Sequence, residues 1–287
     1  MEISDRGIIL AGGSGTRLYP ATMSISKQLI PINGKPMIYY PLRFLMELGI
    51  REILIISTPQ DTGRMADLLG SGHQWGINIY YSVQDSPRGI AEAFILGRPF
   101  IGDQPVTLLL GDNFFHNFPF EYYQKKFMGD KFNAFAFTKY IPKPQAFGVY
   151  DPVKNKLVEK PKIPPSNQAL TGLYRFPSTV SHFAKGLKPS KRNELEIVDL
   201  INIYLGLKIC NVEKLPTECF WKDCGTVENI ALVEKYITMG KLDSNCVGSP
   251  EEAAIRLDYV SKKTMSAYIT KQYSNVKNNY ADFLRSL

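Results

Sequence analysis

The amino-acid sequence predicts an α/β protein in which helices cover a mostly parallel sheet. Short aliphatic runs recur along the first half of the chain, and amphipathic stretches with helical spacing lie between the first of them. This alternation is typical of a parallel sheet, because parallel strands need a crossover connection. The chain has 287 residues, of which 44% are hydrophobic. It is therefore long enough to bury the core of one catalytic body and to carry an appended region.

The predicted strands are short runs rich in β-branched and aliphatic residues. They cover residues 7–10, 53–57, 79–83, 106–110 and 134–138. The predicted helices of this half cover residues 37–48 and 90–97. Ligands of such sheets bind beyond the carboxyl ends of the strands. The turns that follow residues 10 and 110 should therefore open into one crevice.

The pattern changes in the second half of the chain. Residues 147–177 are short extended pieces with many prolines, which predict antiparallel hairpins and loops laid over the crevice. Helical spacing returns at residues 193–205. Ser249, Pro250 and Glu252 then form a capping-box pattern. It predicts helices over about 250–257 and 264–284.

Charge and cysteine content exclude several function classes. The net charge of +7 comes from scattered basic residues, which favours small anionic ligands and gives no reason to expect a nucleic-acid partner. The four cysteines form no C-x-x-C pair and lie far from the three histidines, so neither a zinc site nor a disulfide framework is indicated. The chain lacks a run of roughly 18 apolar residues and opens without a leader pattern. We therefore expect a cytoplasmic protein with no membrane contact.

The glycine-rich turn LAGGSGTRL, residues 10–18, follows a predicted strand, where backbone N–H groups often hold phosphates. It does not complete the dinucleotide pattern G-x-G-x-x-G, because Leu18 stands at the third glycine position. An NAD-dependent oxidoreductase is therefore disfavoured. The phosphate loop G-x-x-x-x-G-K-[ST] also fails, since its lysine is missing. What remains is a turn of small residues with Arg17 and, ten residues on, Lys27 as cations for phosphate oxygens.

Two aspartates stand where a metal could be held. Asp112, in LLLGDN, comes one glycine after a predicted strand, where a carboxylate is costly unless it binds something. Asp223 lies in WKDCGT, between an aromatic residue and a glycine turn. Together they could hold Mg²⁺, which proteins often bind through one or two carboxylates and the phosphates of a substrate.

The run GIILAGGSGTRLYPATMSISKQLIPINGKPMIYYPL, residues 7–42, resembles the opening of the sugar nucleotidyltransferases. Further blocks follow in the order of that family: ILIISTPQD, LLGDN, VEKP, TGLYRF, ELEIVD and WKDCGT. The resemblance covers about residues 7–285. It implies a three-layer, Rossmann-like nucleotidyltransferase fold with a predominantly parallel mixed sheet, antiparallel sugar-binding insertions and a C-terminal helical extension.

The resemblance implies a Mg²⁺-dependent transfer of dTMP from dTTP to α-D-glucose 1-phosphate. The products would be dTDP-glucose and pyrophosphate, and the reaction would be the first step of rhamnose-type deoxysugar biosynthesis. The sugar-phosphate oxygen would attack the α-phosphorus directly, with no covalent enzyme intermediate. The implied catalytic residues are Arg17, Lys27, Asp112, Lys160 and Asp223.

On the nucleotide side, the resemblance implies contacts from Gly12, Gly15, Thr16, Arg17, Lys27, Gln28, Gln84, Gly89 and Asp112. Gln84 would read the pyrimidine edge, since an amide supplies both a donor and an acceptor, and Gly89 would leave room for the base. Asp112 and Asp223 would be the metal ligands. On the sugar side, Gly148, Glu159 and the backbone near Leu170 would contact hydroxyls, and Lys160 would bind the phosphate.

Some residues depart from the family pattern at positions that affect the choice of nucleotide and sugar. Arg88 stands where many relatives carry an acidic or neutral residue, and Phe147 stands where many carry tyrosine. Enzymes that use UTP or a modified hexose 1-phosphate therefore remain as alternatives. A nucleotide- or sugar-sensing regulator without turnover is an alternative of another class.

The resemblance also implies the domain organisation. Residues 1–240 would form the catalytic domain, with a nucleotide half over about 1–115 and a sugar-binding half over about 116–240. Residues 241–287 would form a helical region for subunit contacts and a regulatory site, in a homotetramer.

Overall fold

The computed structural model describes residues 5–13, 15–240 and 242–287. Its strands are β1 (Arg6–Ala11), β2 (Pro31–Ile32), β3 (Lys35–Pro36), β4 (Glu52–Ser57), β5 (Asn78–Val83), β6 (Val106–Leu110), β7 (Asn113–His116), β8 (Ala134–Tyr140), β9 (Gly148–Asp151), β10 (Lys156–Glu159), β11 (Gln168–Phe176), β12 (Cys210–Lys214) and β13 (Phe220–Asp223). Its helices are α1 (Tyr39–Glu47), α2 (Pro59–Leu69), α3 (Glu92–Leu96), α4 (Arg98–Ile101), α5 (Phe120–Met128), α6 (Val180–Lys185), α7 (Ile197–Gly206), α8 (Val227–Met239), α9 (Pro250–Arg256), α10 (Lys262–Tyr273) and α11 (Asn279–Ser286).

The large sheet is mixed, with a parallel centre. Its strand order is β10-β9-β11-β6-β1-β4-β5, and β8 pairs with both β11 and β12. Strands β6, β1, β4 and β5 are parallel, whereas β11 runs antiparallel to β6. Two small antiparallel pairs, β13 with β7 and β2 with β3, lie outside this sheet. The mostly parallel mixed sheet predicted from the sequence is confirmed.

Both faces of the sheet are buried, because alternate side chains of each central strand point to opposite cores. In β1, Ile9 joins the core formed with α1, α2 and α5, whereas Ile8 joins the core formed with α3, α6 and α7. Ile55 and Ile56 of β4 divide in the same way. The fold therefore has three layers, as the resemblance implied.

One prediction for the second half of the chain is wrong. Residues 148–159 do form an antiparallel hairpin, β9 with β10. Residues 160–167 are a loop, but residues 168–176 are not, because they form β11, a nine-residue strand between β9 and β6 in the large sheet. It is buried almost throughout, including Thr171 and Arg175. A strand covered on both faces shows no alternation of polar and apolar residues, and Thr171, Gly172 and Arg175 also interrupt the aliphatic run that identified the other central strands.

Two helix boundaries also differ from those predicted. The helix expected at 193–205 begins only at Ile197, after Asn193 adopts a positive φ of 60°. The helix expected at 264–284 is two helices, α10 and α11. The second helix starts where the Asn278 side chain accepts a hydrogen bond from the Ala281 N–H at 2.8 Å. An asparagine that caps a helix competes with continuation of the preceding one.

The C-terminal helices pack on the catalytic body. Ser249 caps α9 as predicted, and its side chain accepts from the Glu252 N–H at 3.2 Å. The other half of the capping box does not form, because the Ser249 N–H donates to the Cys246 carbonyl and the Glu252 carboxylate pairs with Arg256. Ala253, Met265 and Leu284 share the core of α1. The predicted boundary residue, Lys241, lies outside the described residues. Within the described ranges, no helix is both long and apolar enough to cross a membrane.

A buried ion pair joins the first strand to the centre of the sheet. Arg175 of β11 is 0% exposed. Its Nε and one terminal nitrogen donate to the two oxygens of Asp5 at 2.6 and 3.0 Å. The Thr107 hydroxyl of β6 donates to the same carboxylate at 3.1 Å. Removing one partner of such a pair leaves a buried charge without compensation.

Asp5→Asn should therefore destabilise the fold by about 3–5 kcal/mol. Denaturant unfolding followed by circular dichroism measures the change in the free energy of unfolding. Asp282→Asn is the matched control, because Asp282 forms an exposed pair with Arg285 at 2.7 Å, and it should cost under about 1 kcal/mol. Equal losses in the two variants would contradict the role of the buried pair.

Candidate active site

A cavity of about 970 Å³ opens beyond the carboxyl ends of β1 and β6, at the edge where ligands of α/β sheets bind. Its volume is at the upper end of that of pockets for small molecules. Most of the predicted site residues line it: Gly12, Thr16, Arg17, Lys27, Gln84, Gly89, Asp112, Gly148, Glu159, Lys160, Leu170 and Asp223. The structure therefore brings together side chains that are up to about two hundred positions apart in the sequence.

Gly15 and Gln28 do not line this cavity, and both support the glycine turn. Gln28 is buried, and its Nε2 donates to the Gly12 carbonyl at 3.4 Å while its Oε1 accepts from the Ser26 hydroxyl at 2.7 Å. Gly15 has a φ of 58°, and its carbonyl accepts from the Thr22 hydroxyl at 2.7 Å. The two residues hold the backbone from which Thr16 and Arg17 project.

Lys27 and Asp112 form the closest charge contact of the site. Lys27 Nζ lies 2.5 Å from Asp112 Oδ2, and the two side chains are 14% and 8% exposed. Burial acts to raise the pKa of Asp112, but the Lys27 charge and hydrogen bonds from Lys27 and Asn113 outweigh it and lower the pKa. Burial likewise acts against charge on Lys27, and the two aspartates still raise the pKa of its ammonium. Each group keeps its partner ionised.

Asn113 ties this pair to two further strands. Its Nδ2 donates to Asp112 Oδ1 at 3.0 Å, while its Oδ1 accepts from the Gly172 N–H at 3.1 Å and from Trp221 Nε1 at 2.6 Å. A Cβ at Gly172 would lie 2.6 Å from that oxygen, so glycine is needed for the approach. The amide fixes the carboxylate of Asp112 relative to β11 and β13. Asn113 also lines the cavity, and the sequence interpretation did not single it out.

Arg17 and Asp223 form a second, looser pair. The guanidinium of Arg17 is 59% exposed, and one nitrogen lies 3.7 Å from Asp223 Oδ2. Asp223 Oδ1 accepts from the Gly225 N–H at 2.8 Å. A Cβ at Gly225 would lie 2.4 Å from a guanidinium nitrogen of Arg17. The glycine of WKDCGT therefore leaves the space in which Arg17 rests against Asp223.

The two aspartates are neighbours across β7 and β13. Asp223 pairs in register with Asn113, and the Cys224 N–H donates to the Asp112 carbonyl at 2.8 Å. Burial raises the pKa of Asp223, and the Asp112 charge adds to the rise. In the part of the chain that the structure describes, no group of three or more His, Cys, Asp or Glu side chains could hold a metal. A buried and a half-buried carboxylate that line one cavity suit a hard cation that takes its other ligands from water and substrate.

The opposite end of the cavity carries a cluster of charges on β10 and the segment before α7. Glu159 Oε1 lies 3.5 Å from Lys160 Nζ and accepts from Arg192 at 2.8 Å. Arg192 also donates to Glu196 at 2.7 Å. Burial raises the pKa of Glu159, although both neighbouring cations oppose the rise. Arg192 lines the cavity but was missed from the sequence, where only its position two residues before ELEIVD could have pointed to it.

Lys160 is held in a backbone conformation that costs energy. Its φ is +41°, in the left-handed region, and its N–H donates to the Phe147 carbonyl at 3.0 Å. Non-glycine residues lose roughly 1–2 kcal/mol there. The turn places this lysine in the wall of the cavity.

The Gln84 amide presents fewer hydrogen-bonding atoms to the cavity than the sequence interpretation assumed. Its Nε2 donates to Glu92 Oε2 at 2.8 Å and lies 3.5 Å from the Gly89 carbonyl oxygen. Its Oε1 faces the glycine turn, 2.8 Å from where a Gly12 Cβ would stand. Among the residues that the structure describes, none donates to this oxygen. Gln84 therefore presents an acceptor alone, not both a donor and an acceptor.

Gly89 lines the cavity on one side and packs against the backbone of Leu195 on the other. A Cβ at this position would lie 2.4 Å from the Leu195 carbonyl oxygen, and its φ is +100°. Glycine is therefore required by the close approach of the segment before α7, whatever the cavity holds.

Residues 6–239 match the Nucleotidyl transferase family, and the chain belongs to that family. The resemblance seen in the sequence is thereby confirmed, and members of the family generally use a divalent metal.

Curated relatives and solved structures show which members of the family this chain is similar to. The glucose-1-phosphate thymidylyltransferase of Xanthomonas campestris pv. campestris is 41% identical, over 98% of this chain and 96% of its own length. The enzyme of that name from Neisseria meningitidis is 42% identical, over 98% and 99%. A crystal structure from Bacillus anthracis bearing the same name has a TM-score of 0.75 at 37% identity, over 80% of this chain and 94% of that one. A UDP-glucose pyrophosphorylase complexed with UDP-glucose shares the fold, with a TM-score of 0.72 at 21% identity over 83% and 100%.

Gly225→Ala should lower nucleotidyl transfer by about tenfold or more, equivalent to about 1.4 kcal/mol in the barrier. The added Cβ would push the Arg17 guanidinium away from Asp223 and would itself lie 2.8 Å from Asp223 Oδ1, so that carboxylate must shift as well. Both are side-chain movements, so the protein should stay folded. Steady-state rates and a melting curve measure the two effects.

Gly63→Ala is the matched control, because Gly63 lies in α2 with nothing within 4 Å of the added Cβ. It should leave the rate unchanged. A Gly225→Ala enzyme within about twofold of wild type, a negligible change in barrier, would contradict the role given to the glycine.

Proposed function

We propose that this chain transfers dTMP from dTTP to α-D-glucose 1-phosphate and releases pyrophosphate. The observation that carries the proposal is one cavity with two cation–carboxylate pairs beside a glycine turn and a second charged cluster opposite. Phosphates bind best to backbone N–H groups and to cations in such turns. The relatives that cover nearly the whole chain are named for this reaction. The product would enter deoxysugar biosynthesis.

The reaction needs positioning and charge neutralisation more than proton transfer. A sugar phosphate is already ionised at neutral pH, so its oxygen can attack the α-phosphorus in line without a general base. Arg17 and Lys27 would hold the triphosphate and neutralise the departing pyrophosphate. Lys160 would hold the attacking phosphate, and Glu159 with the backbone of Gly148 and Leu170 would receive the hydroxyls.

Mg²⁺ is the proposed metal. Asp112 and Asp223 would hold it, since both residues line the cavity and the turn that carries Asp112 is hydrogen-bonded to the end of β13 that carries Asp223. When bound, the ion would supply positive charge to the phosphate oxygens. Asn113 and Gly225 keep the two carboxylates in place by the hydrogen bonds described above.

The assembly is proposed from the resemblance alone, and the compartment from the sequence composition. We propose a homotetramer in the cytoplasm, with subunit contacts and a regulatory site built by the helices that follow Lys241. The organisation into a catalytic body over 1–240 and a tail over 241–287 stays a prediction.

A pyrophosphate-release assay with dTTP, UTP, CTP, ATP and GTP against a panel of hexose 1-phosphates tests the proposal. We expect the highest kcat/KM with dTTP and glucose 1-phosphate, in the presence of Mg²⁺ and not of EDTA. Thymine and uracil differ by one methyl group, worth about 1–3 kcal/mol in a pocket. A preference for UTP or for another hexose 1-phosphate would therefore change the proposed substrate but leave the proposed reaction, nucleotidyl transfer, unchanged. No release with any pair would support a sensing protein instead.

In the same assay, Asp223→Asn should lower turnover on the order of 10²-fold or more, the loss expected at a metal site. The fold should persist, because the Arg17 partner is exposed and the pair is long. Asp282→Asn makes the same change at an exposed site and should have no effect. Turnover retained in Asp223→Asn would overturn the metal assignment.

Lys160→Asn should raise the KM for glucose 1-phosphate by about tenfold or more, since a charge-assisted contact is lost. Stability should hold or increase by up to about 1 kcal/mol, because asparagine tolerates a positive φ better than lysine. Lys208→Asn is the matched control, since Lys208 has a φ of 61° and lies outside the cavity. If both variants left KM unchanged, Lys160 would have no part in binding the sugar phosphate.

A further inference from the structure

The carboxylate of Glu92 is buried beside Gln84 and is held by a second residue. Arg88 Nε donates to Glu92 Oε1 at 2.6 Å, and a terminal nitrogen of Arg88 lies 2.5 Å from the same oxygen. The other oxygen, Oε2, accepts from Gln84 Nε2 at 2.8 Å. Neither Glu92 nor Arg88 is among the residues that line the cavity.

This chain of contacts determines which atom of the amide can face the cavity. A carboxylate accepts hydrogen bonds and has none to donate. Only the nitrogen of the Gln84 amide can therefore face Glu92, and the carbonyl oxygen must point the other way, toward the glycine turn. A flipped amide would place its carbonyl oxygen against Glu92 Oε2 and leave that buried oxygen without its donor, although Arg88 would still hold Oε1; an unpaired buried acceptor is costly.

We propose that Glu92 and Arg88 are positioning residues that lock the Gln84 amide with its oxygen toward the cavity. The inference rests on the proposed function and deepens it. An oxygen in that place accepts from the N3–H of thymine or uracil, whereas N3 of cytosine carries a lone pair and would be repelled. Selection of the base would thus depend on two residues that do not touch the nucleotide.

Arg88 is one of the residues that depart from the family pattern, and the structure gives it this role. It lies in the turn before α3, whose first residue is Glu92, and Gly89, with a φ of +100°, bends that turn between the two residues. The Arg88 side chain is 52% exposed and lies outside the cavity lining. It therefore acts on the Gln84 amide only through the Glu92 carboxylate.

The test compares kcat/KM for dTTP, UTP and CTP in wild type, Glu92→Gln, Arg88→Ala and Arg64→Ala. A glutamine at 92 can accept from Gln84 or donate to it, so both amide orientations become possible. The ratio of dTTP to CTP should fall about tenfold in Glu92→Gln, the loss of one hydrogen-bond preference, and by a smaller factor in Arg88→Ala. The ratio of dTTP to UTP should stay constant, since both bases carry N3–H.

Arg64→Ala is the matched control. Arg64 is 50% exposed and pairs with Asp61 at 3.2 Å in α2, away from the cavity, so all ratios should equal those of wild type. A wild-type enzyme that uses CTP as well as dTTP would contradict the proposed function. A selective wild type whose dTTP to CTP ratio persisted in Glu92→Gln would overturn the positioning role alone. If Glu92→Gln failed to fold, an unchanged ratio in Arg88→Ala would overturn it.

Discussion

Pairing of opposite charges at the carboxyl edge of the sheet is the interaction on which the rest of the structure depends. Asp112 follows the central strand β6, where a carboxylate without a partner would be expensive. Lys27 supplies the partner at 2.5 Å, and Arg17 lies 3.7 Å from Asp223. Both cations also line the cavity, so the groups that balance the two carboxylates lie beside the glycine turn, where they can contact a phosphate. Stability and phosphate binding share the same groups.

Hydrogen bonds and small residues fix the positions of these charged side chains. Asn113 links the Asp112 carboxylate to β11 and β13. Position 172 must be glycine, because a Cβ there would lie 2.6 Å from the Asn113 side-chain oxygen. Gly225 likewise leaves the space for Arg17. A site that works by positioning loses rate when its groups move by an ångström. The glycines of the later motifs therefore matter for close approach, as does the glycine turn that opens the chain.

The parts of the fold encoded locally were predictable from the sequence. Aliphatic runs located β1, β4, β5 and β6, and Ser249 marked the start of α9. Strand β11 was missed because burial on both faces removes the alternation, and because Thr171, Gly172 and Arg175 break the aliphatic run that located the other strands. In the site, motifs and resemblance indicated Arg17, Lys27 and Asp112. The roles of Arg192 and Glu92 could not be predicted, because they depend on which polar atoms face each other after folding.

A crystal structure of the protein with dTTP and Mg²⁺ is the most direct measurement of the central claim. The account predicts a triphosphate against the glycine turn in contact with Arg17 and Lys27, with the ion between the carboxylates of Asp112 and Asp223. The pyrimidine N3 should lie within hydrogen-bond distance of Gln84 Oε1. A nucleotide bound elsewhere, or an ion held without either aspartate, would contradict it.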